Sequence, residues 1–316
     1  MTRPMPSQEI LEIISQGVAI PASPLALDEN RKLSEKHQKA LYEYYVAAGA
    51  GGVAVAVHTT QFEIRDKEHQ LFEPLLKMAS EKLHSLEKKY DRRVVKVAGV
   101  CGRTEQAVNE AKLAASLGYD AGLLSLAAMG PKATDDQLIE HCDQVSREIP
   151  IIGFYLQPAV GGRILPYSFW RRFAEIENVV AIKMAPFNRY QTLDVVRAVA
   201  MAGRECDITL YTGNDDNIIA DLLTPHTVIV NGLRKTLRIK GGLLGQWSVW
   251  TQTMVKLLDD IHSAVDTGAI PLDLLRKNAE LTDANAVIFD APHGFAGCIP
   301  GINEVLRRQG LLPSRK

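Results

Sequence analysis

Cysteine is scarce in this chain of 316 residues: there are four, Cys101, Cys142, Cys206 and Cys298, and none has CxxC spacing. That argues against a disulfide framework and for a reducing, cytoplasmic compartment. Neither sign of charge is in excess. Lys and Arg number 36 against 37 Asp and Glu, a net charge of −1, which leaves no basic footprint for nucleic acid and no polybasic membrane signal. Aromatic residues are only 6% of the chain, too few for a base-stacking surface. No apolar run approaches the roughly 18 residues of a membrane span. The opening MTRPMPSQEILEIISQG is acidic and amphipathic where a signal peptide needs an apolar core. What remains is a globular composition, 46% hydrophobic and 23% charged.

Short apolar runs recur at Val18 to Ile20, Val53 to Val57, Val94 to Val100, Ala121 to Leu126, Ile151 to Tyr155, Val179 to Lys183 and Ile208 to Tyr211. From the third onward their starts are 27, 30, 28 and 29 residues apart. Helix-period segments lie between them, near 35–48, 67–89, 104–117, 134–147, 167–176, 188–202 and 214–223, several opening on a capping residue such as Ser34, Thr104 or Thr134. Runs such as VVKVAGV are continuous, as expected for parallel strands covered on both faces. With an eighth strand in Gly241–Val249, the pattern predicts an α/β chain folded as a TIM (β/α)8 barrel. The open doubly wound alternative would want GxGxxG after the first strand, where PASPLALDEN stands.

The barrel is expected over residues 1–266, with a β-hairpin inserted at 226–240. Asn231–Gly232 marks its turn, and its basic arms read as a charge-protected edge. Residues 267–316 form a C-terminal helical appendage, with helices near 271–281 and 300–309, covering the outside of the barrel or building a subunit contact.

In such a barrel reactive groups sit at the C-terminal ends of strands. Lys183 closes the apolar run VVAIK, so burial there depresses its pKa and frees an amine that can attack a ketone. Tyr155 ends the preceding strand 28 residues earlier, placed by that spacing to carry protons beside the amine. Thr59 and Thr60 follow VAVAV, and their hydroxyls and amides can hold a carboxylate. A metal-dependent barrel using His58, Asp215, Asp216 or His141 is a competing class. No HxH or HExxH spacing supports it, and Asp215-Asp216 reads as the capped start of a helix.

With those sites placed, the chain resembles the dihydrodipicolinate synthase and N-acetylneuraminate lyase family of Schiff-base aldolases. GFYLQP resembles the family's tyrosine motif, VVAIKMAP its lysine motif, YTGNDD its seventh strand and GLLGQWSV its eighth. The resemblance implies a metal-independent lyase, aldolase or dehydratase, holding pyruvate or another 2-oxo acid as an imine on Lys183, with an aldehyde as the further partner. It implies Tyr155 as proton shuttle, Thr59 and Thr60 on the carboxylate, no cofactor, and a homo-oligomer, dimer or tetramer.

Departures are as informative. The second-strand motif is His58-Thr59-Thr60-Gln61-Phe62, the fourth-strand loop LSLAAMGPKA lacks the family's relay tyrosine, and Val160 stands where the lysine-biosynthetic enzymes place a carboxylate-binding arginine. Phe62, Met129, Val160 and Trp247 are expected to make the second-substrate pocket less polar, with Trp247 and His58 among the substrate contacts. A different 2-oxo acid fits these changes. The alternatives are 4-hydroxy-tetrahydrodipicolinate synthase proper and a non-catalytic 2-oxo-acid-binding regulator.

Overall fold

A computed structural model describes residues 2–316. The chain opens with helix α1 (Gln8–Gln16) and strand β1 (Ala19–Pro21). It then alternates α2 (Glu35–Ala47), β2 (Gly52–Val55), α3 (Phe72–Tyr90), β3 (Val95–Val100), α4 (Thr104–Ser116), β4 (Ala121–Leu124), α5 (Asp135–Ser146) and β5 (Ile151–Tyr155). Next come α6 (Tyr167–Phe173), β6 (Val179–Met184), α7 (Arg189–Ala202), β7 (Thr209–Thr212) and α8 (Ile218–Leu223). The hairpin β8 (Pro225–Val230) and β9 (Leu233–Leu244) precedes α9 (Thr251–Thr267), α10 (Leu272–Ile288) and α11 (Cys298–Arg308).

Eight parallel strands pair in the order β1-β9-β7-β6-β5-β4-β3-β2. A bridge between Ala22 and Ala54 joins the two ends, and the Ser23 amide donates to the Ala54 carbonyl at 2.9 Å. The expected barrel is therefore the fold. Every residue of β3 and of β6 is buried, as expected for strands whose two faces meet the barrel interior and the helix layer.

Two packed layers follow from the strand period of two. Ile152, Phe154, Val95, Val97 and Leu123 belong to the interior cluster, while Ile151, Tyr155 and Val100 pack outward against the helices. Helix α1 plugs the bottom of the barrel: Ile10 and Ile14 join the interior cluster, and the Tyr211 hydroxyl donates to the Ile14 carbonyl at 2.9 Å.

The last strand differs from its expected bounds. β9 begins eight residues earlier than Gly241, because its first half is the return arm of the hairpin, antiparallel to β8 around the left-handed Asn231 and Gly232. It also ends at Leu244, and Gln246–Ser248 form a single 3-10 turn. α8 starts at Ile218, four residues later than the pattern suggested, since Asn214 to Asn217 are held as a loop by Asp221.

Candidate active site

The top of the barrel holds a cavity with about 70 Å³ open to water-sized molecules. Strand ends furnish its floor: Ala22 after β1, His58 and Thr59 after β2, Phe154 on β5, Lys183 on β6, and Asp215 after β7.

Lys183 is only 8% exposed. Strand register puts it level with Phe154, whose ring centroid lies 4.4 Å from Nζ. Gly213 makes the space: a Cβ there would stand 2.6 Å from the lysine Cε. Burial pushes the Lys183 pKa well below the ordinary lysine value, with the Asp215 carboxylate opposing part of that fall. The reciprocal holds for Asp215, whose carboxyl is lifted by burial and pulled back by Lys183. One Asp215 oxygen, Oδ1, is shielded from solvent and has no hydrogen-bond partner among the described residues. The Asp215 carbonyl takes a 2.8 Å bond from the side chain of Asn285 on α10, which fixes the loop.

His58 begins a 3-10 turn and meets Phe62 edge-on, with centroids 6.0 Å apart. Burial, then the positive field of Lys183, lowers its pKa to about 4, so its ring is neutral at pH 7. Thr59 lines the cavity with its hydroxyl toward Gly245, where a Cβ would lie 3.3 Å from Oγ1.

The roof comes from the C-terminal segment. Phe289, Phe295, Cys298, Ile299 and Ile302 of the C-terminal segment line the cavity. The appendage therefore covers the barrel mouth and not only its outside. Phe295 meets Phe187 of the β6 loop edge-to-face at 5.5 Å, and both residues have left-handed backbone, φ 67° and 54°.

A family model described as the Dihydrodipicolinate synthetase family matches residues 16–227. The chain belongs to the dihydrodipicolinate synthetase family. Among curated members, the 4-hydroxy-tetrahydrodipicolinate synthase of Caldicellulosiruptor saccharolyticus is 33% identical over 186 residues, 56% of this chain and 60% of that protein. That of Alkaliphilus oremlandii is 34% identical over 118 residues, 37% of this chain and 38% of that protein. These matches thus span less than two thirds of the curated relatives' length. Solved structures share the fold across nearly the whole chain. YagE, a prophage protein of this synthase family from E. coli K12 in complex with pyruvate, has a TM-score of 0.74 at 19% identity, covering 95% of this chain and 90% of its own. N-acetylneuraminate lyase from Mycoplasma synoviae has a TM-score of 0.70 at 16% identity, covering 96% and 90%.

Within this family fold, Lys183, His58 and Thr59 share one cavity, whereas Tyr155, Thr60 and Trp247 do not line it. Tyr155 matches the family motif in sequence but faces the helix layer. Its hydroxyl donates to the Leu165 carbonyl and accepts from the Leu165 amide, both at 3.2 Å, and its ring packs on Trp170 at 5.3 Å. Gly153, two residues earlier and so on the same face, would carry a Cβ 2.7 Å from the Phe173 ring of α6. The cause is a register shift. Ile151 pairs with Val179 but Ile152 pairs with Ala181, so β6 gains a residue and Lys183 comes level with Phe154, not Tyr155.

Thr60 donates its hydroxyl to the Ser23 carbonyl at 2.7 Å and accepts from the Val57 amide, binding the β2 turn to the β1 loop. Trp247 folds back from the 3-10 turn against Gly242, where a Cβ would touch its ring at 2.6 Å, and is buried in the outer core. Of the residues expected to make the pocket apolar, Val160 lines it. Phe62 packs under Arg65, and Met129 faces a separate surface cleft beside α4 and α5.

Asp215 is not the helix cap that the sequence pattern suggests. Asn217 occupies the cap position of α8, leaving the Asp215 carboxyl to the cavity. Its position directly after a barrel strand was the available signal. His141 lies elsewhere, its Nδ1 3.0 Å from the Thr104 hydroxyl. Among the described residues, the acidic and histidine side chains close enough in a group of three to share an ion are Asp66, Glu68 and His69, all exposed and outside the cavity.

Proposed function

We propose that this chain is a Schiff-base lyase acting on pyruvate or a substituted 2-oxo acid through an imine on Lys183. The observation that carries the proposal is a buried amine of lowered pKa sharing the cavity at the barrel mouth with a carboxyl of raised pKa. Such a pair, with pKa values pushed toward each other, suits proton traffic near neutral pH.

The neutral Lys183 amine attacks the C2 carbonyl, a carbinolamine forms, and water leaves to give an iminium. The iminium draws electrons from the bond beta to it. When a C3–C4 bond breaks, its electron pair passes into the enamine, the C4 hydroxyl proton goes to the Asp215 carboxylate, and C4 departs as an aldehyde. Protonation of C3 and hydrolysis then release pyruvate and restore the amine. In the dehydratase form of this chemistry the same iminium loses a C3 proton to give the enamine, whose electron pair expels the C4 hydroxyl as water. The Thr59 hydroxyl is the donor available to the substrate carboxylate, and the neutral His58 ring can donate or accept one hydrogen bond at the mouth. Asp215 takes the proton-carrying role that the sequence motif suggested for Tyr155. The lyases and synthases among the similar proteins, one of them bound to pyruvate, support this choice of substrate class.

Incubation with pyruvate and borohydride, followed by intact mass measurement, tests the proposal. A single reduced adduct that disappears in Lys183→Ala is expected. An unmodified wild-type protein across pyruvate and a panel of other 2-oxo acids would overturn the covalent mechanism, and an adduct without turnover would favour a binding regulator.

A further inference from the structure

We propose that the carbonyl partner of the 2-oxo acid carries an apolar group, aromatic or branched alkyl, and not a polyhydroxylated or carboxylate-bearing one. The inference rests on the Lys183 imine in its carbon–carbon form.

The cavity opens into a larger outer cleft, and the two share His58, Val160, Phe295, Cys298 and Ile299. Apart from Gln157, whose carboxamide donates to the Pro186 carbonyl and accepts from the Ala159 amide, the polar side chains of the inner cavity alone are Lys183, Asp215 and Thr59. These three therefore mark its closed end. A 2-oxo acid bound to Lys183 spends its carboxylate and C2 there. Its C4 substituent must leave through the shared throat, the direction in which a second carbonyl compound also arrives.

That throat offers one neutral imidazole and one thiol, a weak hydrogen-bonding group, against three apolar side chains. Phe187 and Phe289 extend the apolar wall inward. Two of these rings are held at a cost. Phe187 and Phe295 both adopt left-handed backbone, a conformation bulky residues rarely take, and meet each other edge-to-face across the mouth. Strain of this kind persists where the surroundings hold it, and here it places aromatic faces where a substrate must pass. A hydroxylated chain would leave most of its hydroxyls unpaired in the throat, each costing on the order of tenfold in kcat/KM. A phenyl or branched alkyl group gains from the same walls. Apart from Lys183, the basic side chains Arg31, Arg315 and Lys316 line the outer cleft and not the inner cavity or the throat.

The test compares pyruvate release from three 4-hydroxy-2-oxo acids whose C4 substituents are phenyl, polyhydroxyalkyl and carboxylate, alongside borohydride trapping of pyruvate itself. The phenyl compound is expected to exceed each of the others by at least about tenfold in kcat/KM. Phe295→Ser is expected to shrink that ratio several-fold while leaving the pyruvate adduct in place, and Ile299→Thr gives an independent reading should the first variant fold poorly. An adduct-forming protein that cleaves the polar compounds as well as the phenyl one, or does not cleave the phenyl one, overturns the apolar-partner inference alone. Failure to trap any adduct overturns the Lys183 imine beneath it.

Discussion

At the residue scale the central pair is Lys183 and Asp215. Burial lowers the pKa of the amine, and the nearby carboxylate holds it partly up. Removing that negative charge in Asp215→Asn therefore lowers the lysine pKa further. The rising limb of adduct formation against pH should move to lower pH in the variant, while turnover falls on the order of 10²-fold for loss of the proposed proton carrier. A limb that stays put or moves upward would mean that the carboxylate does not act on the amine. Tyr155→Phe discriminates between the sequence motif and the observed packing. It removes two hydrogen bonds to Leu165 and should cost about 1 kcal/mol of stability, read as a lowered denaturation midpoint, with adduct formation unchanged. Slowed adduct formation would return Tyr155 to the cavity. Lys183 was legible in the sequence because a lysine closing an apolar strand has nowhere to point but the barrel mouth. Tyr155 was misleading because a spacing of 28 residues counts chain length and not register. One extra residue in β6 exchanges the inward and outward sets, and composition carries no trace of it.

At the scale of elements, the ends of β2 and β3 are held by a buried cation. Arg65, from the turn after β2, pairs with Glu110 of α4 at 2.9 Å and donates to the carbonyls of Ala56 and Gly99 at 3.2 and 2.9 Å. Its guanidinium also stacks over the Phe72 ring at 4.4 Å. Ala56 has φ 61°, and Gly99 comes so close that a Cβ there would sit 2.1 Å from the Ala56 oxygen. This clamp sets the exit of β2, and hence His58 and Thr59. Arg65→Ala strands the buried Glu110 carboxylate and should cost about 3 kcal/mol in chemical denaturation. A loss below about 1 kcal/mol would show that solvent replaces the pair without penalty. The strands themselves were readable because their apolar runs recur at a nearly constant interval. The β8–β9 hairpin was readable from Asn-Gly, yet its continuity with the eighth barrel strand was not. A single long strand that is exposed in one half and buried in the other looks like two elements.

At the scale of the whole molecule, the two ends of the chain close the two ends of the barrel. Below, α1 fills the bottom and is tied to β7 by the Tyr211 hydroxyl, which donates to Ile14 and accepts from the Val18 amide at 3.3 Å. Tyr211→Phe should lower the melting temperature by about 2 °C and leave the cavity unchanged. A larger fall accompanied by loss of adduct formation would mean that the plug shapes the site from below. Above, the segment joining α10 and α11, together with the start of α11, roofs the cavity, and the Ser314 hydroxyl donates to the Leu27 carbonyl at 2.7 Å, pinning the tail beside the β1 loop. Helical periodicity announced the tail's helices. It held no information on which side of the barrel they would cover, since that depends on contacts between residues nearly the whole chain apart.

The most direct measurement is peptide-level mapping of the protein after exposure to pyruvate and borohydride. The structure predicts one reduced adduct, on the peptide carrying Lys183, absent in Lys183→Ala and retained in Tyr155→Phe. An adduct on another lysine, or none under conditions where the protein is folded, would contradict imine chemistry at the end of β6.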